Sequence, residues 1–425
     1  MKIYLDSIGC RLNQSEIEKL GAQFRAAEHQ LVSEVSKADL VVVNTCAVTV
    51  AAAADSRKKI RSAARRSNAR VVATGCYATI DPKTILDLPS VEQVVSNDEK
   101  KNLVDLVLGG DYISGAEIQQ RIPLPGERKR TRAFIKVQDG CDNFCTFCIT
   151  RIARGKNRSV KKTEIFRDIK SALLGGSKEI VLTGVNLGSW GREMKPAGSL
   201  GSLIFEIIEK IQPPRLRLSS LEPWDIDDEI LSLLDQPGFC QHLHLPLQSG
   251  SDKILKKMGR MITKTGFLDV INRIRKIKPE IALTTDIMVG FPGETEEHFL
   301  ESLDFVRNIG FAGGHVFTFS MRPGTPAEKF PENIQHAVAK ERGKLMWQEF
   351  EESSRNYRSG YLGKTQSVLW ERSKIAGKVW QLSGLSENYL KINTSSEEDM
   401  YNQISQVKIT SVNGEYITGR IVNSS

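Results

Sequence analysis

Short apolar strands that alternate with helical patterns dominate the middle of this 425-residue chain. Repeated strand–helix units with short loops predict a parallel barrel, and six units leave that barrel open. We therefore expect an α/β domain over residues 133–362 with its chemistry at the carboxyl ends of the strands. The predicted strands are Ala133–Val137, Glu179–Thr183, Arg215–Ser219, His242–Leu245, Ala282–Met288 and Gly314–Phe319. The predicted helices are Lys162–Leu174, Ser199–Lys210, Asp228–Asp235, Lys264–Lys276, Glu296–Asn308 and His336–Tyr357.

A smaller domain is predicted on each side of the barrel. Residues 1–111 show a βαβαβ pattern, which predicts an open parallel sheet. Residues 112–132 are rich in glycine, proline and basic residues, as expected of a linker. Residues 363–425 contain five short strands between turns. They predict a small antiparallel β-barrel of the oligonucleotide-binding kind, or a covering module with no nucleic-acid role. The N-terminal strands are predicted at Lys2–Leu5, Leu40–Val43 and Arg70–Ala73, and the helices at Asn13–Ala27 and Ala51–Arg66.

Three of the seven cysteines, Cys141, Cys145 and Cys148, form a C-x3-C-x2-C run. Structural zinc requires four closed ligands, and an ordinary ferredoxin cluster uses one thiolate more than this run provides. Three thiolates instead suit an iron–sulfur cluster with one open iron. The run resembles that of the radical S-adenosylmethionine (SAM) superfamily, in which the open iron binds SAM. It follows the first predicted barrel strand, at the rim where a cofactor would bind.

Each of three further cysteines follows a predicted strand of the N-terminal domain. Cys10, Cys46 and Cys76 lie a few residues beyond the ends of successive strands. Because the loops after parallel strands share one edge of the sheet, we expect the three thiols to converge there. Gly9 and Gly75 directly precede two of them, and glycine lets the backbone approach an inorganic core closely. The pattern predicts either a second three-thiolate cluster or three buried thiols.

The charge distribution indicates a polyanionic partner. The net charge is +8, from 59 basic and 51 acidic residues, and the basic residues are clustered on one predicted helix and in the linker. Such density favours phosphate binding, and we expect RNA. The start of the chain lacks a signal-peptide pattern and no apolar run approaches membrane length, so we expect a cytoplasmic protein without a membrane partner. The clustered residues are Arg57, Lys58, Lys59, Arg61, Arg65, Arg66 and Arg70, followed by Arg128, Lys129, Arg130 and Arg132.

Residues at the ends of the predicted barrel strands are candidates for SAM binding. Gly184 follows the second strand, where glycine permits close approach to the methionine amino group. Glu222 follows the third strand and is a candidate acceptor for the ribose hydroxyls. The remaining candidates are Asn186 after the second strand, Gln248 and Ser249 after the fourth, and Asp286 and Val289 in the segment that leaves the fifth, where a bent apolar backbone suits adenine.

Three nearby residues are interpreted as structural. Cys240 precedes the fourth barrel strand without cysteine neighbours, which favours a buried thiol. His242 and His244 alternate on that strand, so one of them is expected to face the barrel interior. A metal-binding role is not favoured for either histidine.

Over essentially its whole length the chain resembles the radical-SAM methylthiotransferases. The resemblance implies a radical-SAM barrel in the centre and a TRAM barrel at the C-terminus. It implies two [4Fe–4S] clusters, one on Cys10, Cys46 and Cys76 and one on the C-x3-C-x2-C run. SAM then serves as methyl donor and radical source, and a reducing electron donor is required. The matching motifs are Gly9-Cys10-Arg-Leu-Asn13, Asn44-Thr-Cys46, Gly75-Cys76-Tyr-Ala78, the C-x3-C-x2-C run, Arg154-Gly155, Arg158-Ser159, Ser219-Ser-Leu-Glu-Pro-Trp-Asp225 and Gly290-Phe-Pro-Gly-Glu-Thr295.

The residues after Cys46 bear on the substrate. Ala47-Val48-Thr49 is similar to the branch that modifies N6-threonylcarbamoyladenosine at position 37, in the anticodon loop of tRNA. The isopentenyladenosine branch has arginine where Thr49 stands, and the ribosomal-protein branch has Gly-Phe after the cysteine. One departure from the family pattern is Thr150-Arg151-Ile152, which stands in place of Ile-Pro after Ile149. Arg151 is interpreted either as a phosphate contact or as a residue that reorients the loop.

Three hypotheses follow. The first is a methylthiotransferase of threonylcarbamoyladenosine in tRNA. The second is a sibling enzyme that acts on isopentenyladenosine or on a ribosomal-protein aspartate. The third is a non-catalytic RNA-binding metalloprotein, which predicts four closed ligands for each metal and no SAM turnover.

Overall fold

The computed structural model describes residues 1–110, 121–125 and 131–422. The predicted linker, including Arg128, Lys129 and Arg130, lies largely outside these residues. The chain folds into two compact units. The first contains residues 1–143, 148–175 and 183–186, and the second contains residues 144–147, 176–182 and 187–425. None of the helices described is long and apolar enough to cross a membrane.

The first unit is built on a five-stranded parallel sheet with the strand order β2-β1-β3-β4-β5. The predicted βαβαβ order is confirmed, and β2 and β5 extend the sheet at its two edges. The strands are β1 Lys2–Ser7, β2 Gln30–Leu31, β3 Leu40–Thr45, β4 Arg70–Gly75, β5 Val91–Val95, β6 Arg132–Lys136, β7 Gln138–Asp139 and β8 Arg158–Ser159. The helices are α1 Arg11–Ala26, α2 Val50–Arg66, α3 Cys76–Ile80, α4 Pro82–Leu86, α5 Leu103–Leu108, α6 Thr150–Arg154 and α7 Lys162–Leu174.

Both faces of this sheet are covered. Successive residues of a strand point to opposite faces, so Val41 and Val43 pack with Ile60 of α2 while Leu40 and Val42 belong to the opposite core. All six residues of β3 are buried, as expected of a central parallel strand. The two-sided core fixes where each strand ends, and thereby fixes the position of the loops that carry the cysteines.

The second unit contains a series of parallel strands. β9 pairs with β10, a bridge between Ser220 and His244 connects β10 to β11, and β11, β12 and β13 pair in that order. Each strand lies within two residues of its predicted bounds. The strands are β9 Glu179–Thr183, β10 Arg215–Leu218, β11 His242–His244, β12 Ala282–Val289 and β13 Gly313–Thr318. The helices are α8 Leu200–Lys210, α9 Asp228–Ser232, α10 Asp252–Lys257, α11 Lys264–Ile277, α12 Glu296–Ile309 and α13 His336–Ser359.

A closed five-stranded β-barrel ends the chain, with the order β14-β15-β16-β18-β17. The barrel itself is confirmed, but it is not purely antiparallel as predicted, because β16 and β18 pair in parallel. Strand direction cannot alternate around a ring with an odd number of strands, so at least one parallel pair is required. The strands are β14 Thr365–Ala376, β15 Val379–Ser386, β16 Lys391–Ser396, β17 Ile404–Asn413 and β18 Tyr416–Val422.

Two buried arginines join this barrel to the strands of the same unit. Arg215 Nη1 donates to the Leu385 carbonyl at 3.0 Å, and Arg217 Nη1 donates to the Glu387 carbonyl at 2.9 Å. Arg217 also forms a buried ion pair with Glu179, with Nε 2.7 Å from Oε1. Because buried cations require such partners, the contacts of Arg215 and Arg217 favour a single orientation of the C-terminal barrel on these strands.

Candidate functional site

The cysteines of the N-terminal sheet meet at its carboxyl edge. Cys10 lies between β1 and α1, Cys46 follows β3, and Cys76 begins α3 directly after β4. The three thiols are close enough to interact electrostatically with one another. Cys46 and Cys76 are buried and Cys10 is exposed. The structure therefore brings together three residues that are separated by up to 66 positions, as sheet topology predicts.

Two glycines make this convergence possible. Gly9 has φ +104°, and a Cβ atom there would lie 2.6 Å from Cys46 Sγ. Gly75 has φ +96°, and a Cβ atom there would overlap the Thr45 carbonyl. Any other residue would disturb the loops that carry the cysteines, because neither space nor conformation is available. The donor set and its cradle fit a cluster held by three thiolates.

Burial raises the pKa values of Cys10 and Cys46, so these two thiols need a metal to become thiolates at neutral pH. Burial raises the pKa of Cys46 to about 11. Binding of iron must therefore release protons, which is the usual coupling of thiolate ligands to metal. An arginine supplies positive charge at the same place.

Arg154 connects the thiol site to a buried ionic network. Its Nε lies 3.2 Å from Cys76 Sγ, its Nη1 lies 2.9 Å from Glu16 Oε1 and 3.0 Å from Asp139 Oδ1, and its Nη2 donates to Asn13 Oδ1 at 2.7 Å. The Arg154 side chain is only 2% exposed. Because α6 begins two residues after Cys148 and ends at Arg154, the segment that follows the C-x3-C-x2-C run reaches the N-terminal thiols directly.

Three cations surround the Glu16 carboxylate. Lys100 Nζ lies 2.6 Å from Oε2, Lys136 Nζ lies 2.9 Å from Oε1, and Arg154 completes the set. Burial raises the pKa of Glu16, but the attraction of Lys100, Lys136 and Arg154 outweighs it and holds the pKa well below its usual value. The pKa of Asp139 is lowered in the same way, with burial opposed by Lys136 and Arg154.

These lowered carboxyl pKa values predict how stability depends on pH. A carboxylate whose pKa is lower in the folded state stabilises the fold above its unfolded pKa, about 4.3 for Glu, and that stability is lost as the pH falls through the folded pKa. We expect Glu16→Gln to unfold more easily than the wild type at pH 7, and the difference to narrow below about pH 4. Chemical denaturation of the cluster-loaded protein from pH 7 to pH 3 measures it. The exposed Glu28→Gln is the matched control, and a constant difference at all pH values would contradict the expectation.

The C-x3-C-x2-C run lies on a loop after β7. Cys141 and Cys148 belong to the first unit and Cys145 to the second. The Asn143 amide donates to Cys141 Sγ at 3.4 Å. Gly140 has φ +69° and approaches the Lys156 carbonyl too closely for any Cβ atom. The backbone at the start of this loop therefore accepts only glycine at position 140.

An arginine also lies next to Cys145. Arg260 Nη1 lies 3.7 Å from Cys145 Sγ, and the same guanidinium forms a two-pronged pair with Glu222, at 3.1 and 2.6 Å. Arg260 Nη2 further donates to the Pro246 carbonyl at 2.6 Å, and the guanidinium lies 4.6 Å from the centre of the Trp224 ring. Trp224 Nε1 is buried without a hydrogen-bond partner among the described residues.

Three further candidates for SAM binding, Gln248, Ser249 and Val289, have different surroundings. Ser249 is buried, and its hydroxyl lies 3.1 Å from that of Ser302. The Gln248 backbone has φ +77°, and its amide donates to the Asp286 carbonyl at 2.8 Å. Val289 is buried at the end of β12.

Two candidates for SAM binding belong to the first unit. Gly184 lies in the loop that follows Thr183. Asn186 is buried, and its backbone amide donates to Gln138 Oε1 at 2.8 Å. These contacts join protein groups to one another, so the roles of both residues in SAM binding stay predictions.

Sequence reasoning missed the residues that surround the thiols. Arg154 was recognised only as part of a matching motif, and Arg260, Lys100 and Lys136 carried no signal. His315 lies against Asp286, a residue that was assigned to SAM, and was not singled out either. Cys240 is buried, 3.8 Å from Glu179 Oε2, as a structural thiol requires. The partners of the missed residues lie too far away in the sequence for a spacing rule to reveal them.

Known protein families match the N-terminal and the central residues of the chain. The Radical SAM superfamily model matches residues 135–306, and Uncharacterized protein family UPF0004 matches residues 2–96. Threonylcarbamoyladenosine tRNA methylthiotransferase MtaB of Thermotoga maritima is 38% identical over 403 residues, which cover 92% of this chain and 90% of the relative. The tRNA-2-methylthio-N(6)-dimethylallyladenosine synthase of Staphylococcus haemolyticus is 31% identical over 426 residues, which cover 95% of this chain and 82% of that protein.

A solved structure shares the fold. The radical S-adenosylmethionine methyltransferase TsrM of Kitasatospora setae, with cobalamin and a [4Fe-4S] cluster bound, superimposes with a TM-score of 0.59 at 15% identity. The match covers 77% of this chain and 76% of TsrM. The near full-length relatives, which share more than 30% of their residues with this chain, establish that the chain belongs to the radical-SAM tRNA methylthiotransferase family, a family of transferases.

Proposed function

We propose that this chain converts N6-threonylcarbamoyladenosine at position 37 of tRNA into its 2-methylthio derivative. Cys141, Cys145 and Cys148 hold one [4Fe–4S] cluster, and the N-terminal thiols hold a second one. SAM is methyl donor and radical source, and a cytoplasmic reductant supplies electrons. The observation that carries the proposal is the three-thiol site at the sheet edge, because a second incomplete thiolate set is what sulfur insertion requires beyond radical chemistry.

The chain's own residues have distinct tasks in this proposal. Arg154 donates to Cys76 and so stabilises its thiolate, while Arg260 does the same for Cys145 and orients Glu222. When bound, the cluster near Cys145 supplies the electron that cleaves SAM. Glycine and backbone groups at the strand ends hold SAM and exclude water, and Glu222 binds the ribose.

Domain roles follow the predicted boundaries. Residues 1–111 carry the second cluster, residues 133–362 the SAM chemistry, and residues 363–425 a TRAM domain that contributes to tRNA binding. The cytoplasm is the compartment in which tRNA and the reductant are found.

The substrate branch is supported by two observations. The Thermotoga relative is named for threonylcarbamoyladenosine, and residues 47–49 resemble that branch. Thr49 also caps α2, because its hydroxyl accepts from the Ala52 amide at 3.0 Å. Arginine, the residue of the isopentenyladenosine branch, cannot provide this cap, so the difference changes the start of α2. Methylthiolation of dimethylallyladenosine is the second candidate, supported by the Staphylococcus haemolyticus relative.

The basic face of α2 is proposed to bind the tRNA backbone. Lys58, Arg61 and Arg65 are exposed on this helix, which starts four residues after Cys46. Their exchange for glutamate should weaken RNA binding and reduce the slope of log affinity against log salt by about 2–3, since each lost phosphate contact contributes about 0.7–0.9. Filter binding at several salt concentrations measures this slope. Lys340→Glu and Lys344→Glu, at two exposed lysines of α13, serve as the control and should leave the slope unchanged.

Purified protein with reconstituted clusters tests the proposed reaction. Anticodon stem–loops that contain either threonylcarbamoyladenosine or dimethylallyladenosine are incubated with SAM, sulfide and dithionite, and the nucleosides are analysed by mass spectrometry. The proposal predicts methylthiolation of the first RNA. Modification of the second RNA alone would establish the sibling activity instead. Intact, iron-loaded protein that cleaves SAM but modifies neither RNA would refute both.

A further inference from the structure

The loop after β5 adds an uncharged donor to the three-thiol site. Asn97 lies two residues beyond Val95, the last residue of β5, and so reaches the same edge of the parallel sheet as the loops that carry the cysteines. Its Nδ2 atom lies 3.8 Å from Cys76 Sγ, within reach of a hydrogen bond to sulfur. Asn97 is 8% exposed, and its backbone amide donates to the Thr79 hydroxyl at 2.9 Å. The fold therefore holds this side chain beside the thiol.

A second contact establishes the orientation of the Asn97 amide. Nδ2 also lies 2.7 Å from the carbonyl oxygen of Ala153 in α6. A carbonyl oxygen only accepts, so the group beside it is the NH2 group, which has a second N–H for Cys76. Because an amide N–H donates at any pH, the contact with the sulfur depends on no protonation state.

The carbonyl end of the same amide destabilises the fold. Asn97 Oδ1 is buried and has no hydrogen-bond partner among the described residues. A buried acceptor without a partner is unfavourable, and a hydrocarbon side chain of this size would avoid it. A hydrocarbon would, however, leave the Cys76 sulfur without this donor. What an asparagine contributes at this position is thus its Nδ2 group.

Cys76 has a second donor, the guanidinium of Arg154. Arg154 Nε lies 3.2 Å from Cys76 Sγ, and this side chain carries a permanent positive charge. Cys10 has different surroundings, because its Sγ lies 3.8 Å from Asn13 Oδ1, an oxygen that accepts. N–H groups directed at a ligand sulfur stabilise the additional electron of a reduced iron–sulfur cluster and raise its reduction potential. The surroundings of Cys76 therefore favour reduction.

We propose that Asn97, together with Arg154, raises the reduction potential of the N-terminal cluster by donating to the Cys76 sulfur. The inference rests on the proposed function, which assigns a [4Fe–4S] cluster to this thiol site. Asn97 acts through Cys76 and is a positioning residue, not a ligand. One reductant supplies both clusters in that proposal, so the two reduction potentials decide how electrons are divided between the clusters.

A redox titration of the N-terminal cluster alone measures this effect. The full chain with Cys145→Ser is loaded with iron and sulfide and titrated with dithionite, and the reduced cluster is followed by its electron paramagnetic resonance signal. In this background, Asn97→Leu and Asn97→Ala should both lower the midpoint potential. We expect the ratio of reduced to oxidised cluster to fall about three- to tenfold, or about 28–59 mV for one electron. Because the two replacements differ in volume, equal shifts identify the lost donor and exclude a packing effect.

Controls separate this effect from structural damage and from a failure of the proposed function. Asn68→Leu, at an exposed asparagine of the same unit, should leave the potential unchanged. A purely structural role of Asn97, through its bond to Ala153, would lower the free energy of unfolding and leave the potential unshifted. An unshifted potential in both Asn97 variants, or loss of the cluster from both, would overturn the inference and leave the proposed function standing. A Cys145→Ser chain that holds no cluster would instead contradict the proposed function itself.

Discussion

Cys145→Ser should abolish SAM cleavage and leave the N-terminal cluster in place. A serine hydroxyl cannot replace the thiolate as an iron ligand at neutral pH, and two remaining thiolates do not hold a stable cube. Iron content should therefore fall from about eight to about four per chain. The formation of 5′-deoxyadenosine should drop to background. Elemental analysis and chromatography of SAM products measure the two effects.

Cys240→Ser is the matched control for this experiment. Cys240 is buried and lies beside Glu179 and Arg217, away from the other cysteines. Its exchange should leave iron content and 5′-deoxyadenosine formation unchanged. Retention of SAM cleavage in Cys145→Ser, or equal loss of iron in both variants, would contradict the assignment of the C-x3-C-x2-C run.

Arg154→Gln should damage the N-terminal cluster and the fold together. Without the guanidinium, Glu16 and Asp139 lose a buried cation, and removal of one partner from such a network costs about 3–5 kcal/mol of unfolding free energy. Cys76 also loses the N–H donor at 3.2 Å. We expect iron to fall toward about four per chain and methylthiolation to be lost, while SAM cleavage continues.

Arg65→Gln provides the comparison, since Arg65 is exposed in the same unit and has no buried partner among the described residues. Arg154→Lys should retain part of the stability but not the contact with Cys76, because an ammonium cannot form the planar fork that reaches four groups. Wild-type stability and full iron content in Arg154→Gln would mean that the network has no role in either property.

Local patterns were sufficient to predict most of the fold. Most of the six barrel strands were visible as short runs of apolar residues between turns, whereas Arg215–Ser219 and His242–Leu245 were visible through alternation of leucine with arginine or histidine. The convergence of Cys10, Cys46 and Cys76 was also predictable, because topology alone brings the ends of parallel strands together. β2 and β5 were missed, since one has two residues and the other carries Glu92 and Gln93 in its centre.

Long-range polar partners could not be predicted. Arg154 and Glu16 are 138 positions apart, and Arg260 and Cys145 are 115 apart. Periodicity reports whether a residue is buried, not which charge meets it, so the ionic networks emerge only from the three-dimensional packing. His315 was hidden for the same reason, because its partners Asp286 and His244 lie on two other strands.

Mass spectrometry of nucleosides from total tRNA tests whether this chain methylthiolates threonylcarbamoyladenosine in cells. Cells without this gene are compared with cells that carry the wild-type gene, the Cys145→Ser gene or the Cys240→Ser gene. We expect 2-methylthio-N6-threonylcarbamoyladenosine to disappear in the deletion strain and its unthiolated precursor to accumulate. Only the wild-type and Cys240→Ser genes should restore the product. Unchanged 2-methylthio-N6-threonylcarbamoyladenosine in the deletion strain, with loss of the methylthiolated dimethylallyl nucleoside, would contradict the proposed substrate.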